Sequence, residues 1–205
     1  MERFRADLKT FVDGLYEGEK KVLVYGEGDV SARIMMIGEA PGEQETLLGR
    51  PFVGKAGKNL DAFLELAGMD RRQLYVTNTV KFRPTKISPA GRTVNRPPTQ
   101  EEVRLFLPWL QREIELVDPV CIITLGNVPL RALLGRVACQ YTLNEQVFIG
   151  RDHGRWYERK GVWFMPTFHP SALLRDPAKK RDAWEDFQKV RDKLAELEAA
   201  PGRDG

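Results

Sequence analysis

Cysteine and histidine are scarce: the chain holds two of each in 205 residues. Cys121 and Cys139 have 17 residues between them and no CxxC pair exists, so zinc-ribbon and cluster spacings are excluded. Cys121 lies in the apolar run VCIITL and reads as a buried core thiol; a disulfide is not expected inside a cell. No apolar run approaches the roughly 20 residues that a membrane span requires. The opening MERFRADLKTF has no apolar stretch leading to a small-residue cleavage site, so no secretory signal is expected, and a cytoplasmic, intracellular location follows. Internal repeats and a dividing linker are also missing. Residues 1–200 are therefore expected to form one domain, with 201–205 a frayed tail, and nothing in the sequence calls for an oligomer. Acidic residues are absent from Arg71 to Gln100, where seven basic ones stand: Arg71, Arg72, Lys81, Arg83, Lys86, Arg92 and Arg96. Net charge is only +3, so this local excess says more than the sum. It suits a phosphate backbone; a solvated basic loop is the plainer alternative.

What is present reads as an α/β domain. Four short apolar runs have the length and composition of buried strands: RIMMI (33–37), LYVT (74–77), VCIITL (120–125) and VWFMPTF (162–168). Between them lie helical patterns. Lys58 to Ala67 has helical apolar spacing and stops at Gly68. Thr99 to Leu116 opens with a capping box, Glu102 standing three after Thr99. A shorter helix follows Gly126, and Lys179–Ala199 is charged and amphipathic. Strands alternating with helices predict a mostly parallel sheet covered on both faces. Residues 147–160 are expected to form a hairpin into the last strand. Residues 83–98, with four prolines and a glycine, are expected to be a long functional or mobile loop.

In such a sheet ligands bind beyond the carboxyl ends of the strands. Those ends carry Gly38-Glu39-Ala40-Pro41-Gly42, then Asn78, then Gly126-Asn127, then His169-Pro170-Ser171. A carboxylate, an amide, a glycine turn and an imidazole are thus gathered at one rim. The motifs GEAPGEQE (38–45), GRPFVGKAG (49–57), TNTVKFRP (77–84) and TFHPSALLR (167–175) closely resemble family 4 uracil-DNA glycosylases, collinearly from about Val24 to Arg175. The resemblance implies a three-layer α/β/α fold with a central four-stranded parallel sheet, uracil-containing DNA as partner, single- or double-stranded, and hydrolysis of the uracil N-glycosidic bond.

The residue types suit that chemistry. Uracil must leave the base stack to be reached. Phe52 offers a stacking platform, with core packing as its plainer role. The Asn78 amide pairs a donor with an acceptor, matching uracil O4 and N3–H and opposing cytosine. Cleavage builds positive charge on the sugar and negative charge on the base. Glu39 is assigned to activating water or supporting the cation, and His169 to donating toward uracil O2. The glycines Gly38 and Gly42 let the backbone approach the ligand closely, and Gly38 and Ala40 are expected to bind uracil. By resemblance, Glu45 lies near the C5 edge and contributes to rejecting thymine. In SALLR, an apolar side chain would wedge into the vacated stack, Leu174 ahead of Leu173, with helix packing as the alternative. Ser171 and Arg175 would face DNA, as would Gly126, Asn127, Arg83, Lys86, Arg92 and Arg96.

The chain also departs from that family, whose members carry a four-iron, four-sulfur cluster on four cysteines. Phe82 and the neighbourhood of Phe106 occupy two of those positions, and 13–21 offers no counterpart to the other pair. No metal or cofactor is therefore expected, and the phenyl rings should fill the volume. The stretch TKISPAGRTV looks inserted. A related branch traps DNA covalently through a loop histidine, which 83–98 lacks. Two other functions remain open: a binding protein that holds uracil or damaged DNA with slow or no turnover, and a hydrolase of free nucleosides.

Overall fold

The computed structural model describes residues 1–136, 139–176 and 178–199, apart from the side chains of Leu174, Arg175, Glu198 and Ala199. The expected frayed tail, 201–205, lies outside the described residues. In chain order the elements are α1 (Glu2–Leu15), β1 (Glu27–Gly28), β2 (Ile34–Gly38), α2 (Glu43–Leu48), α3 (Lys55–Leu66), a 3-10 turn (Arg71–Gln73), β3 (Leu74–Asn78), β4 (Thr85–Ile87), β5 (Thr93–Asn95), α4 (Gln100–Val117), β6 (Cys121–Leu125), α5 (Asn127–Leu134), α6 (Ile149–Asp152), β7 (Tyr157–Arg159), β8 (Val162–Thr167), α7 (Pro170–Arg175) and α8 (Lys179–Ala199).

The four apolar runs form the parallel heart of the main sheet, ordered β3-β2-β6-β8. These are the expected four parallel strands; two short antiparallel ones extend the sheet to six, β1 pairing with β3 and β7 with β8. Register aligns Asn78 with Gly38, and Leu125 with Thr167, so the last row of strand residues is the rim itself. Side chains alternate across a sheet. Tyr75 and Thr77 face α4, where both hydrogen-bond Glu113. Thr167, one row further on, points to the opposite face and donates to Asp186 of α8 at 2.7 Å. Helices therefore cover both faces, and the strands between them are fully buried. On the α8 side the rings of Phe63 and Phe187 stack with centroids 5.7 Å apart.

Local signals account for most helix limits. Thr99 and Glu102 form the expected reciprocal cap on α4. Helix α3 stops before Gly68, whose φ of +72° suits glycine; it begins three residues earlier than its apolar spacing suggests. Two expectations change. Residues 149–152 make a single helical turn, so only Tyr157–Arg159 pairs with the last strand. Residues 83–98 are not a plain loop: Thr85–Ile87 and Thr93–Asn95 form an antiparallel hairpin closed around Gly91.

A second apolar cluster lies apart from the main core. Phe4, Leu8 and Val12, four residues apart on α1, pack with Val80, Phe82 and Phe106. The rings of Phe82 and Phe106 are 5.6 Å apart, with Tyr16 5.4 Å from Phe82 and Phe4 6.1 Å from Trp109. Among the described residues, no helix is long and apolar enough to cross a membrane.

Candidate active site

A cleft of about 840 Å³ opens at the carboxyl rim, lined by Glu39, Ala40, Phe52, Asn78, Gly126, Asn127 and His169 among others. The size is that of a small-ligand site. All four rim segments named from sequence contribute to it.

The turn after β2 is stitched to the end of β3. The Thr79 N–H and hydroxyl both donate to the Gly38 carbonyl at 2.8 Å, and the Val80 N–H donates to the Glu39 carbonyl at 3.0 Å. Gly38 leaves no room for a side chain. A Cβ there would lie 2.4 Å from Phe52 Cζ and 2.5 Å from Asn78 Oδ1, so any side chain would push apart the platform and the amide.

Phe52 adopts φ +53°, a conformation uncommon for a bulky residue. Its surroundings hold it there. Arg71 donates to the Phe52 and Pro51 carbonyls at 3.1 and 2.8 Å and is anchored by Asp61 at 2.6 Å. Glu45 accepts from the backbone N–H groups of Val53 at 3.0 Å, Gly54 at 2.8 Å and Gly42 at 3.1 Å. Glu45 thus staples the first glycine turn to the Phe52 loop. The resemblance places this residue at the C5 edge of the base; here it lines the cleft, but its carboxylate is committed to three backbone donors.

His169 caps α7. Its Nδ1 accepts from the Ser171 backbone N–H at 3.2 Å and lies 2.8 Å from Ser171 Oγ. A neutral ring whose Nδ1 accepts must carry its proton on Nε2, which makes His169 a donor by tautomer. Gly126, at φ +93°, passes close behind it: a Cβ there would come 3.1 Å from His169 Cβ. The Asn127 amide oxygen holds the Ile149 N–H at 2.9 Å, a structural duty alongside its place in the cleft lining.

The structure redistributes the basic stretch. Arg72 pairs with Asp70, Arg83 reaches Asn95 and Glu43, and Arg96 grips Glu102 with two bonds of 2.6 and 2.7 Å. Lys81, read from sequence as part of a possible DNA-facing surface, is completely buried against Glu113. Burial pulls its amine pKa down, and the Glu113 carboxylate opposes that. Lys86 lies exposed on the hairpin with Arg92. In α7, Leu173 is buried, which removes it as a wedge; the side chains of Leu174 and Arg175 lie outside the described residues.

Sequence reading passed over two cleft residues. Phe148 is half exposed at the mouth, on a segment taken for a strand. His153 lines the same cleft, with Nδ1 3.2 Å from Asp186 Oδ2 and its ring 4.6 Å from that of Phe168. Burial pushes the Asp186 carboxyl up, opposed by the Thr167 hydroxyl and by His153. As one of only two histidines, His153 was the signal available.

Phe82 and Phe106 present carbon rings and no ligand atoms, so the residues here do not fit an iron–sulfur cluster. Both cysteines are buried, and desolvation pushes the Cys121 thiol up to about 12. Among the described residues, no group of three or more His, Cys, Asp or Glu side chains could hold a metal ion.

Residues 25–188 match the family model of the Uracil DNA glycosylase superfamily. The chain is 37% identical over 170 residues to a type-4 uracil-DNA glycosylase of Sulfurisphaera tokodaii, covering 82% of this chain and 73% of the relative. It is 36% identical over 174 residues to the type-4 uracil-DNA glycosylase of Thermotoga maritima, covering 82% and 81%. A type-5 uracil-DNA glycosylase of Pyrobaculum aerophilum is 32% identical over 166 residues, covering 71% and 64%.

Proposed function

The chain belongs to the uracil DNA glycosylase superfamily, and on that premise we propose that it flips uracil out of DNA and hydrolyses its N-glycosidic bond, leaving an abasic site. One observation carries the reading: Glu39, Phe52, Asn78 and His169, supplied by four separate segments, line one cleft at the rim of the parallel sheet.

The roles follow from the chemistry of each group. Flipping removes the base from its stack, and the Phe52 ring supplies a replacement face. The Asn78 amide donates to uracil O4 and accepts from N3–H; cytosine presents a donor and an acceptor in the reverse order and is refused. As the bond lengthens, charge accumulates on O2, and His169 donates from Nε2. The Glu39 carboxylate orients the attacking water and favours the cationic sugar. A hydrogen bond to developing charge lowers the barrier only to the extent that it strengthens in the transition state. Protonated His169 is not required for this, because the neutral tautomer already places a donor on Nε2.

Both single- and double-stranded uracil-DNA fit an open rim, and a monomer suffices because all four groups come from one chain. Single-turnover release of uracil from a labelled oligonucleotide, in both strand states, tests the proposal. Tight binding without release would establish the binding-protein alternative. Release from free deoxyuridine at a comparable rate would establish the nucleoside hydrolase.

A further inference from the structure

Lys81 and Glu113 form a completely buried ion pair directly behind the rim. Buried pairs of this kind often add little net stability, since removal of two charges from water offsets their attraction. Their position suggests another use. Lys81 Nζ donates to three acceptors: the Glu113 carboxylate, the Thr77 hydroxyl at 2.7 Å and the Asn78 backbone carbonyl at 2.6 Å. Glu113 is held in turn by the Tyr75 hydroxyl at 2.9 Å and by Thr77 at 3.1 Å. All hydrogen-bonding directions of the ammonium group are filled, and one ends on the residue assigned to reading the base.

The geometry explains how the pair reaches across the sheet. Alternation along β3 sends Tyr75 and Thr77 toward α4 and Asn78 toward the opposite face. Lys81 approaches from the α4 side and fixes the Asn78 peptide from behind, while the amide in front stays available to the cleft. The Thr79 and Val80 bonds to Gly38 and Glu39 hold the next two residues. We propose that Lys81 is a positioning residue: its bond to the Asn78 carbonyl sets the aim of the Asn78 amide, and Glu113 keeps the lysine in place. The inference rests on the assignment of Asn78 to base recognition.

The test uses the inhibition constant of free uracil, which does not depend on the fraction of molecules folded. Lys81→Met alone leaves a buried carboxylate unpaired, so the main variant is Lys81→Met with Glu113→Gln, which keeps the Tyr75 and Thr77 contacts and removes both charges. The expected result is an inhibition constant for uracil about tenfold higher, as for loss of one well-aimed hydrogen bond, with affinity for abasic-site DNA unchanged. An unchanged uracil constant in the double variant would overturn the positioning role. Asn78→Asp separates the two readings. If that substitution also leaves the constant unchanged, base recognition by Asn78 fails; if it raises the constant while the double variant does not, only the role of Lys81 fails.

Discussion

The Phe52 ring lies 5.8 Å from the His169 imidazole, centroid to centroid, with 34° between their planes. The two rings therefore share one wall of the cleft, and under the proposed roles a base resting on Phe52 would bring its polar edge to His169. His169→Ala should lower the single-turnover rate by about a hundred- to a thousandfold, and Glu39→Gln should also slow the step strongly. Equilibrium binding to uracil-DNA should change little in either variant, because both groups act mainly in the transition state. A near-normal rate in either one removes that residue from the chemistry.

Glu45 gives a prediction that distinguishes geometry from resemblance. Its carboxylate ties together three backbone donors on two loops. Glu45→Gln keeps one acceptor oxygen and should lower the unfolding free energy by about 1–3 kcal/mol, with uracil excision reduced. Thymine excision from a G·T mismatch should not appear. If stability is unchanged and thymine is released, the carboxylate guards the C5 edge instead.

On the hairpin, Lys86 and Arg92 differ from Arg96 in what they are free to meet. Lys86→Ala and Arg92→Ala should each reduce the salt slope of DNA binding by roughly one unit. Arg96→Ala should chiefly lower the melting temperature, since it unties Glu102. Anisotropy titrations across a salt series, beside thermal melts of the same proteins, read both effects; equal slopes for all three variants would refute the division.

The same Arg96–Glu102 pair has an acid signature. The Arg96 guanidinium holds the Glu102 carboxyl below the usual carboxylate range, with the Thr99 N–H adding to it against the opposing effect of burial. A depressed native pKa means that the unfolded chain binds the proton more readily. This stabilisation is complete above the unfolded value, near 4.5, and is lost as pH falls below it. Melting temperatures measured from pH 7 to pH 3 should fall less steeply for Glu102→Gln than for the parent. Parallel curves would contradict the assignment.

Phe82 and Phe106 should behave as core residues remote from the chemistry. Phe82→Ala should destabilise the fold by about 3–5 kcal/mol in urea unfolding, while the rate of uracil release per folded molecule stays within a few-fold of the parent. A selective loss of rate at full stability would place the ring in the catalytic machinery.

The strands and the longer helices were readable because their signals are local: continuous apolar runs, a 3.6-residue period, a cap at Thr99 and a stop at Gly68. The one-turn helix Ile149–Asp152 was not, since four residues show no period, and the short apolar run Val147–Ile149 imitates a strand. At the site, Glu39, Asn78 and His169 could be located from strand ends alone. The duties of Glu45 and Lys81 could not. Glu45 acts on backbone groups eight and nine residues ahead, and Lys81 meets its counter-ion 32 residues later. Counting charges along a stretch assumes that each reaches solvent, and Lys81 does not.

The bond between Thr167 and Asp186 spans 19 residues of sequence, and it ties the strand end that precedes His169 to a helix made after every strand of the sheet. During translation, at about 5–20 residues per second, the ribosome needs roughly one to four seconds to extend the chain from one partner to the other. Over that interval Phe63 lacks Phe187, and α3 covers its face of the sheet without α8. A ribosome stalled between them would hold a chain with every strand sequence but with Thr167 and His153 lacking Asp186. The tie between Thr167 and Asp186 is thus among the last contacts that synthesis makes available, after every strand of the sheet has been translated.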